Sequence, residues 1–367
     1  MPLAASQRLL RELAEWRPPQ GVLSVCLDVD PADRGEGWRI ALRERVRDAV
    51  SGAGGGDRDA LEQAGRRVLE RFPANAPHGE GRTQLGFVGV GAEGRDLWHG
   101  IQLRLVDGAE VTFGARPRLV PLARLLRVGA RAGAVVAASE RVRVLEWALG
   151  RTEQLDDLEL ELYSLDWRER KSPRRNPQAG GTGTSAAGRD QYGQRLEHNR
   201  ERFLREAGEL IAGRHGERDW AHLIVFGNSG SAGALRAGLG PRAQRAREVH
   251  ADLIGAGVGE IGERITTEIA HLNAEREVAL VARIEDAVGA EPSAALGPDE
   301  VLRVLEQGRA RHAVFDHARD LGVRDGVPVG ELIVGGAALT DAEATPVGGE
   351  AADALAKREG AAALLRY

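Results

Sequence analysis

The sequence predicts an α/β protein with three domains. Its 367 residues are too many for one ordinary core. Apolar segments with strand-like alternation are interleaved with segments of helical spacing, a pattern typical of α/β folds. The chain also changes character near residues 128 and 290. We therefore expect an N-terminal α/β domain (1–128), a central α/β domain (129–290) and a small C-terminal α/β domain (291–367).

Composition excludes several protein classes. With 42% apolar and 29% charged residues, the chain has the composition of a globular protein rather than a disordered one. Its single cysteine, Cys26, excludes a disulfide framework and a cysteine-based zinc site. No apolar segment approaches the roughly 20 residues of a membrane span. Met1–Trp16 has the spacing of an amphipathic helix rather than a signal peptide, so we expect a soluble, cytoplasmic protein.

In the N-terminal domain the first predicted helix ends at Pro18-Pro19, because proline cannot continue a helix. The elements predicted after it are the strand Val22–Val29, the helices Gly37–Val50 and Asp57–Phe72, the strands Gln84–Val90 and Asp96–Leu105, and the crossing segment Arg116–Arg127. Since the last of these leads into a new apolar pattern, the first domain boundary is placed after it.

The central domain contains one strand with an irregular pattern. Alternation in Arg141–Trp147 slips at Leu145, which predicts a β-bulge there. The other predicted elements are the short buried segment Gly133–Ala138, a helix from Tyr192 to Gly213, the buried strand His222–Phe226 and a long helix over Gly259–Val288.

The C-terminal domain follows the chain break at Gly289–Pro292. Pro298–Gln307 is a predicted helix, with acidic residues in its first turn where the helix dipole favours them. The strand-like Ala313–Phe315, the apolar segment Leu332–Leu339 and the terminal segment Ala361–Tyr367 complete this domain.

Three short motifs carry no predicted chemistry. Gly257–Gly262 matches G-x-G-x-x-G but runs into continuous helix, without the second strand that a dinucleotide site needs. His312 and His317 would lie on opposite faces of a strand, which does not suit a metal site. Ser229 follows a strand in what we expect to be a plain turn. No metal and no cofactor are therefore expected.

A long polar loop from Asp166 to Asp190 is the strongest functional candidate. Its first part is basic, with a single acidic residue, Glu169, among five basic ones: Arg168, Arg170, Lys171, Arg174 and Arg175. The following tip, residues 176–188, holds four glycines and no large apolar side chain. Such a tip cannot bury itself in its own protein, but it can approach a polyanionic backbone closely.

The helix after the loop continues the basic surface. Beyond Arg189 in the loop, four basic side chains at spacings of 3, 4 and 3 share one helix face: Arg195, His198, Arg202 and Arg205. Together, the loop and this face favour contact with RNA. The alternative is a solvated linker beside an ordinary salt-bridged helix, for example with Glu201 paired to Arg205; composition alone supports both equally.

The arrangement resembles that of the archaeal and eukaryotic-type class I peptide chain release factors. More closely, it is similar to their bacterial relatives, which include the Vms-like release factor group and the Balon-like hibernation factors. The features that carry the resemblance are the three-domain order, Gly180-Gly181 on a basic loop that leads into Arg195–Asn199, and the endings Gly335–Leu339 and Gly360–Tyr367. The resemblance implies an RNase H-like central domain and an L7Ae-like C-terminal domain.

The resemblance also implies a chemistry for the loop. In such factors a Gly-Gly-Gln tip enters the peptidyl transferase centre and positions water against the ester of peptidyl-tRNA. Here Gly180-Gly181 is followed by Thr182. A glutamine that could substitute is Gln178, Gln191 or Gln194, of which Gln191 is best placed, at the expected loop-to-helix junction. The candidate catalytic residues are Gly180, Gly181, Gln191 and Gln194.

Two functions follow from the resemblance. One is a factor for ribosome rescue that hydrolyses peptidyl-tRNA in the A site; the other is a non-catalytic hibernation factor. Stop-codon decoding is not expected, because residues 1–128 lack an Asn-Ile-Lys-Ser motif and contain no lysine. The implied partners are the ribosome, through rRNA and peptidyl-tRNA, and an elongation-factor-type GTPase. No membrane partner is expected, and off the ribosome we expect a monomer. An RNA-binding protein unrelated to ribosomes is the remaining alternative.

Overall fold

A computed structural model describes residues 3–28, 37–53, 58–71, 83–91, 96–101, 109–160, 186–288 and 293–366. The expected mixed α/β class is confirmed, with several separate sheets. The chain forms two compact units, the first made of Met1–Ala130 and Thr267–Tyr367 and the second of residues 131–266. Residues of the expected N-terminal and C-terminal domains thus share one unit, and the division into three domains stays a prediction.

The N-terminal part of the first unit contains a four-stranded antiparallel sheet in the order β3-β2-β1-β4. Its elements are α1 (Leu3–Glu15), β1 (Val22–Asp28), α2 (Gly37–Gly52), α3 (Arg58–Arg71), β2 (Thr83–Gly89), β3 (Asp96–Ile101), β4 (Ala109–Gly114) and α4 (Val120–Val128). Leu42 and Val46 of α2 and Leu61 and Val68 of α3 are buried in one core with β1. The helices therefore bury their apolar faces on this sheet.

The second unit is built on a five-stranded sheet in the order β7-β6-β5-β8-β9. Its elements are β5 (Ala132–Ala137), β6 (Arg141–Ala148), β7 (Arg151–Glu159), α5 (Ala186–Arg218), β8 (His222–Gly227), α6 (Ser229–Leu239), β9 (Ala246–Val249) and the start of α7 (Val258–Val288). Neighbouring strands β5, β8 and β9 are parallel, whereas β5, β6 and β7 form an antiparallel meander. This order is compatible with the expected RNase H-like central domain, although that assignment stays a prediction.

The bulge predicted in β6 lies in its partner strand β7 instead. The register between β6 and β7 shifts between Val144 and Leu145, the residue at which the alternation of the sequence slips. Both residues are buried, as is Trp147 two positions later. The extra residue is Leu155 of β7, because Val144 pairs with Asp156 and Leu145 with Gln154, whereas β6 keeps an unbroken register with β5.

Trp147 gives the core of the second unit a buried polar contact with α7. Its indole Nε1–H donates to Thr266 Oγ1 at 2.9 Å, and the Thr266 hydroxyl donates to the carbonyl of Gly262 at 2.8 Å. We expect Thr266→Ala to lower the free energy of unfolding by about 1–2 kcal/mol, because it leaves a buried donor unsatisfied. Thr266→Ser retains the hydroxyl and is the control. Equal losses in urea denaturation of the two variants would contradict this role for the hydroxyl.

The C-terminal part of the first unit has a mixed sheet in the order β10-β15-β11-β14. Its elements are β10 (Ala294–Leu296), α8 (Pro298–Glu306), β11 (Ala310–Asp316), the hairpin of β12 (Val323–Arg324) and β13 (Val327–Pro328), α9 (Val329–Leu339), β14 (Glu343–Val347), α10 (Gly349–Leu355) and β15 (Ala361–Leu365). The apolar segment Leu332–Leu339 is helical, within α9. The terminal segment Ala361–Tyr367 contributes β15, which pairs antiparallel to β11.

Two local expectations need correction. Ser229 does not lie in a plain turn but begins α6, because the Asn228 side chain accepts the N–H of Ser231 at 2.9 Å and caps the helix. The polar loop was expected to reach Asp190, whereas α5 begins at Ala186. Ala186 and Ala187 are strong helix formers, so the helix extends back into the expected loop.

Candidate RNA-contacting site

The loop itself lies outside the described residues. Residues 161–185 contain the predicted basic side chains and glycines of the tip: Arg168, Arg170, Lys171, Arg174, Arg175, Gly180 and Gly181. For residues 186–193, which include Arg189 and Gln191, the structure describes the helical backbone and not the side chains. Because α5 begins at Ala186, Gln191 lies in its second turn rather than at a loop-to-helix junction. Gln194 is exposed on the same helix.

Helix α5 extends well beyond the part that packs on the core. It has 33 residues and is therefore about 50 Å long. Its first buried side chain in the described part of the chain is Leu204, followed by Ala207 and Ile211. The helix before Leu204 is about 27 Å long at 1.5 Å per residue. The backbone of α5 thus continues far past its packed region, toward the segment 161–185.

Two glycines fix α5 against α6 at close range. A Cβ atom built on Gly238 of α6 would lie 2.0 Å from the carbonyl oxygen of Arg205, and one built on Gly208 of α5 would lie 2.3 Å from the carbonyl oxygen of Leu235. The two backbones are therefore in direct contact. Because α6 follows β8 directly, this contact sets where α5 lies on the sheet.

Glu140, in the turn between β5 and β6, ties together both sides of the segment 161–185. Its carbonyl oxygen accepts the N–H of Leu160 at 2.8 Å, at the end of β7. Its carboxylate accepts two hydrogen bonds from the Arg200 guanidinium of α5, the one from Nε at 3.1 Å. Arg200 also donates to Glu197 at 2.8 Å. The hydrogen bonds that Arg200 donates, first to Glu140 and then to Glu197, raise the pKa of its guanidinium, so this cation is permanent.

The predicted basic face of α5 is exposed. At 100° per residue it lies opposite Leu204, Ala207 and Ile211, the face that packs on the core. Four side chains form this exposed surface, which we call the basic stripe: Arg195, His198, Arg202 and Arg205. In the described part of the chain the Glu201–Arg205 ion pair of the alternative interpretation is not formed, and Arg202 Nε instead lies 3.8 Å from a Glu206 carboxylate oxygen. An exposed pair of that length contributes little, which leaves the stripe available to a polyanion.

The second unit is also the part of the chain that matches a known family. Residues 130–262 match the model of the bacterial archaeo-eukaryotic release factor family 5. The chain is thus a relative of the bacterial release factors. This match confirms the resemblance to bacterial release factors inferred from the sequence. The matched residues include the basic stripe, the turn that contains Glu140, and helices α5 and α6.

Several solved structures of release-factor-type proteins are similar to this chain, at low sequence identity. The archaeal translation termination factor aRF1 is 16% identical, with 99% of this chain and 98% of that chain covered and a TM-score of 0.26. Archaeoglobus fulgidus Pelota is 16% identical (81% and 80% covered, TM-score 0.38), and S. cerevisiae Dom34 is 12% identical (78% and 80%, TM-score 0.43). No curated protein matches the sequence.

The sequence patterns did not predict the residues that hold α5 and its basic stripe in place. Glu140 and Arg200 are 60 positions apart, so no local pattern connects them. Gly208 and Gly238 did leave a signal, because glycine inside a helix is unfavourable relative to alanine unless close packing requires it.

Two other expectations concern metals and membranes. Among the described residues, no cluster of three or more His, Cys, Asp or Glu side chains has the geometry of a metal site. His312 is instead bonded to Thr345 and Glu343. Within the same residues, no helix combines the length and apolar character that crossing a membrane requires.

Proposed function

We propose that this protein binds the ribosome and acts in the A site in ribosome rescue, releasing the peptide from peptidyl-tRNA without decoding a stop codon. The match of residues 130–262 to the release factor family is the observation that carries this proposal. The absence of lysine from residues 1–128, and of an Asn-Ile-Lys-Ser motif, argues against stop-codon reading. The substrate class is therefore the peptidyl-tRNA ester on a stalled ribosome.

The geometry of the second unit supports a contact with RNA. The basic stripe lies on the part of α5 that leads away from the segment 161–185, and Glu140 holds both sides of that segment. Phosphate contacts position a protein on nucleic acid, whereas a glycine-rich tip permits close approach of the backbone. In this proposal the stripe binds rRNA and the tip reaches the ester.

The proposed chemistry is hydrolysis of an ester by a positioned water. The water oxygen adds to the peptidyl carbonyl carbon, the bond to the ribose oxygen breaks, and a proton passes from the water to that leaving oxygen. Gly180-Gly181 would allow close approach, and Gln191 or Gln194 would orient the water. Positioning and stabilisation of the developing oxyanion supply the rate enhancement, so the chain needs no side-chain base.

A non-catalytic hibernation factor is the second candidate function. Thr182 follows Gly180-Gly181 where the release factors have glutamine, and this observation favours it. Such a protein would occupy the same site and protect the ribosome without hydrolysis. An elongation-factor-type GTPase as delivery partner and a monomeric state off the ribosome stay predictions in both cases.

Release of labelled peptide from stalled ribosomes separates the two functions. We expect the wild-type protein to release peptide, and Gln191→Ala or Gln194→Ala to lower the rate by about 100-fold or more, since one lost oxyanion or water contact has effects of that size. Gln307→Ala, an exposed glutamine after α8, is the control and should leave the rate unchanged.

The outcomes of that assay are distinct. Ribosome binding without release by the wild-type protein would overturn the hydrolase proposal in favour of hibernation. Failure to co-sediment with ribosomes at low salt would overturn both, and an RNA-binding role unrelated to the ribosome would remain.

A further inference from the structure

Helix α4 belongs to the first unit and is held at its amino end by the C-terminal part of that unit. It ends three residues before the second unit begins at Arg131. Glu331, buried on α9, accepts the N–H groups of Leu119 and Val120, the latter at 3.0 Å, and pairs with Arg118 at 3.0 Å. These are donors that a helix start leaves without partners. A side chain more than 200 positions away therefore caps α4.

The carboxyl end of α4 is held by a chain of hydrogen bonds. Arg127 donates from Nε to Glu277 at 3.2 Å and from Nη1 to Thr345 Oγ1 at 3.1 Å. Thr345 Oγ1 lies 2.8 Å from His312 Nε2, and His312 Nδ1 lies 3.2 Å from a Glu343 carboxylate oxygen. Thr345, in the middle of this chain, is 2% exposed, so its hydroxyl depends on protein partners for its hydrogen bonds.

Only one protonation state of His312 satisfies every group in this chain. With the proton on Nδ1, the ring donates to Glu343, and Nε2 accepts the hydrogen of the Thr345 hydroxyl. The Thr345 oxygen is then free to accept from Arg127. A second proton on Nε2 makes that nitrogen a donor, so the buried Thr345 hydroxyl loses its acceptor and receives two cationic donors.

The charges that face His312 oppose the second proton. Arg127 on α4, Arg283 on α7 and Arg311 on β11 disfavour a cation at the ring, whereas Glu343 on β14 favours one. Burial is the largest effect, and with the three arginines it lowers the pKa of His312 despite Glu343. If Arg127 leaves, Thr345 loses one of its two cationic donors and His312 loses a nearby positive charge. Protonation of His312 and departure of Arg127 therefore promote each other.

We propose that this network is an acid-sensitive latch: neutral His312 keeps Arg127 bound and α4 closed on the C-terminal part, and protonated His312 opens it. The latch is complete above the ordinary histidine pKa of about 6.5. Below this pH the open state binds the proton more tightly than the closed state, so the latch weakens as the pH falls. The weakening ends below the lowered pKa of His312 in the closed state, where both states are protonated.

Hydrogen exchange of the full-length protein tests the latch. After correction for intrinsic exchange rates, we expect the protection of the amides in the last turn of α4 to fall about tenfold between pH 7.5 and pH 5.5. This is the factor expected if His312 has the ordinary histidine pKa of about 6.5 when α4 is open. Helix α8 is the internal reference and should keep its protection. His312→Gln should remove the pH dependence, and Arg127→Gln should lower the protection of α4 already at pH 7.5.

A second histidine provides the matched control. His271 is exposed on α7 and lies outside the hydrogen-bond chain. His271→Gln should retain the tenfold change. A pH-independent protection of α4 in the wild-type protein would overturn the proposal whether or not the variants fold. Loss of the pH dependence in His271→Gln instead of His312→Gln would overturn it as well.

Discussion

Reversing the charge of the basic stripe with Arg195→Glu, Arg202→Glu and Arg205→Glu is expected to lower the affinity for ribosomes by at least about 100-fold at about 0.1 M salt. Each phosphate contact releases counterions, which contributes about a factor of ten at that salt concentration. All three side chains are exposed on the face of α5 opposite its buried one, so the substitutions should leave the fold intact. Co-sedimentation with ribosomes over a series of salt concentrations measures both the affinity and its salt dependence.

The control has the same change in net charge at another place. Arg43, Arg45 and Arg47 are exposed on α2 in the first unit, and their replacement by glutamate should leave ribosome affinity within a few-fold of the wild type. The slope of log affinity against log salt should become shallower by about 2 to 3 in the stripe variant alone. Equal losses in both variants would show that total charge, rather than the position of the stripe, governs binding.

Gly238→Ala should unfold the second unit much more readily than any surface substitution. The new methyl group would lie 2.0 Å from the carbonyl oxygen of Arg205, a backbone atom that cannot move without displacing α5. We expect a loss of about 3 kcal/mol or more in the stability of this unit. Amide exchange in β5 and β8, the central strands, should then accelerate by about 100-fold or more, since each 1.4 kcal/mol is a factor of ten.

The same helix offers the matched control. Gly233 of α6 has no neighbouring atom within 4 Å of a built Cβ. Gly233→Ala should therefore be neutral or stabilise the unit by about 0.5–1 kcal/mol, the helix preference of alanine over glycine. If Gly238→Ala behaved like Gly233→Ala, the close contact of α5 with α6 could not be what positions the basic stripe.

Local patterns explain why some elements were predictable. The stripe follows from the 3.6-residue period of α5, whereas the slip in alternation of β6 predicted a bulge that the structure places in β7. Strand β4 (Ala109–Gly114) was missed because it is a short edge strand stabilised by β1, more than 80 positions earlier. The start of α5 was placed too late because glycine and polar residues suggested a loop where Ala186 and Ala187 continue the helix.

The sequence alone determined the α/β class, the exposed basic stripe and the relation to the release factors, because composition, periodicity and motif order are properties of neighbouring residues. Tertiary structure alone decided what holds these features in place. The Glu140–Arg200 pair, the Gly208–Gly238 contact and the capping of α4 by Glu331 join residues 30 to more than 200 positions apart. Such contacts depend on which surfaces folding brings together, and no local pattern in a single chain specifies that.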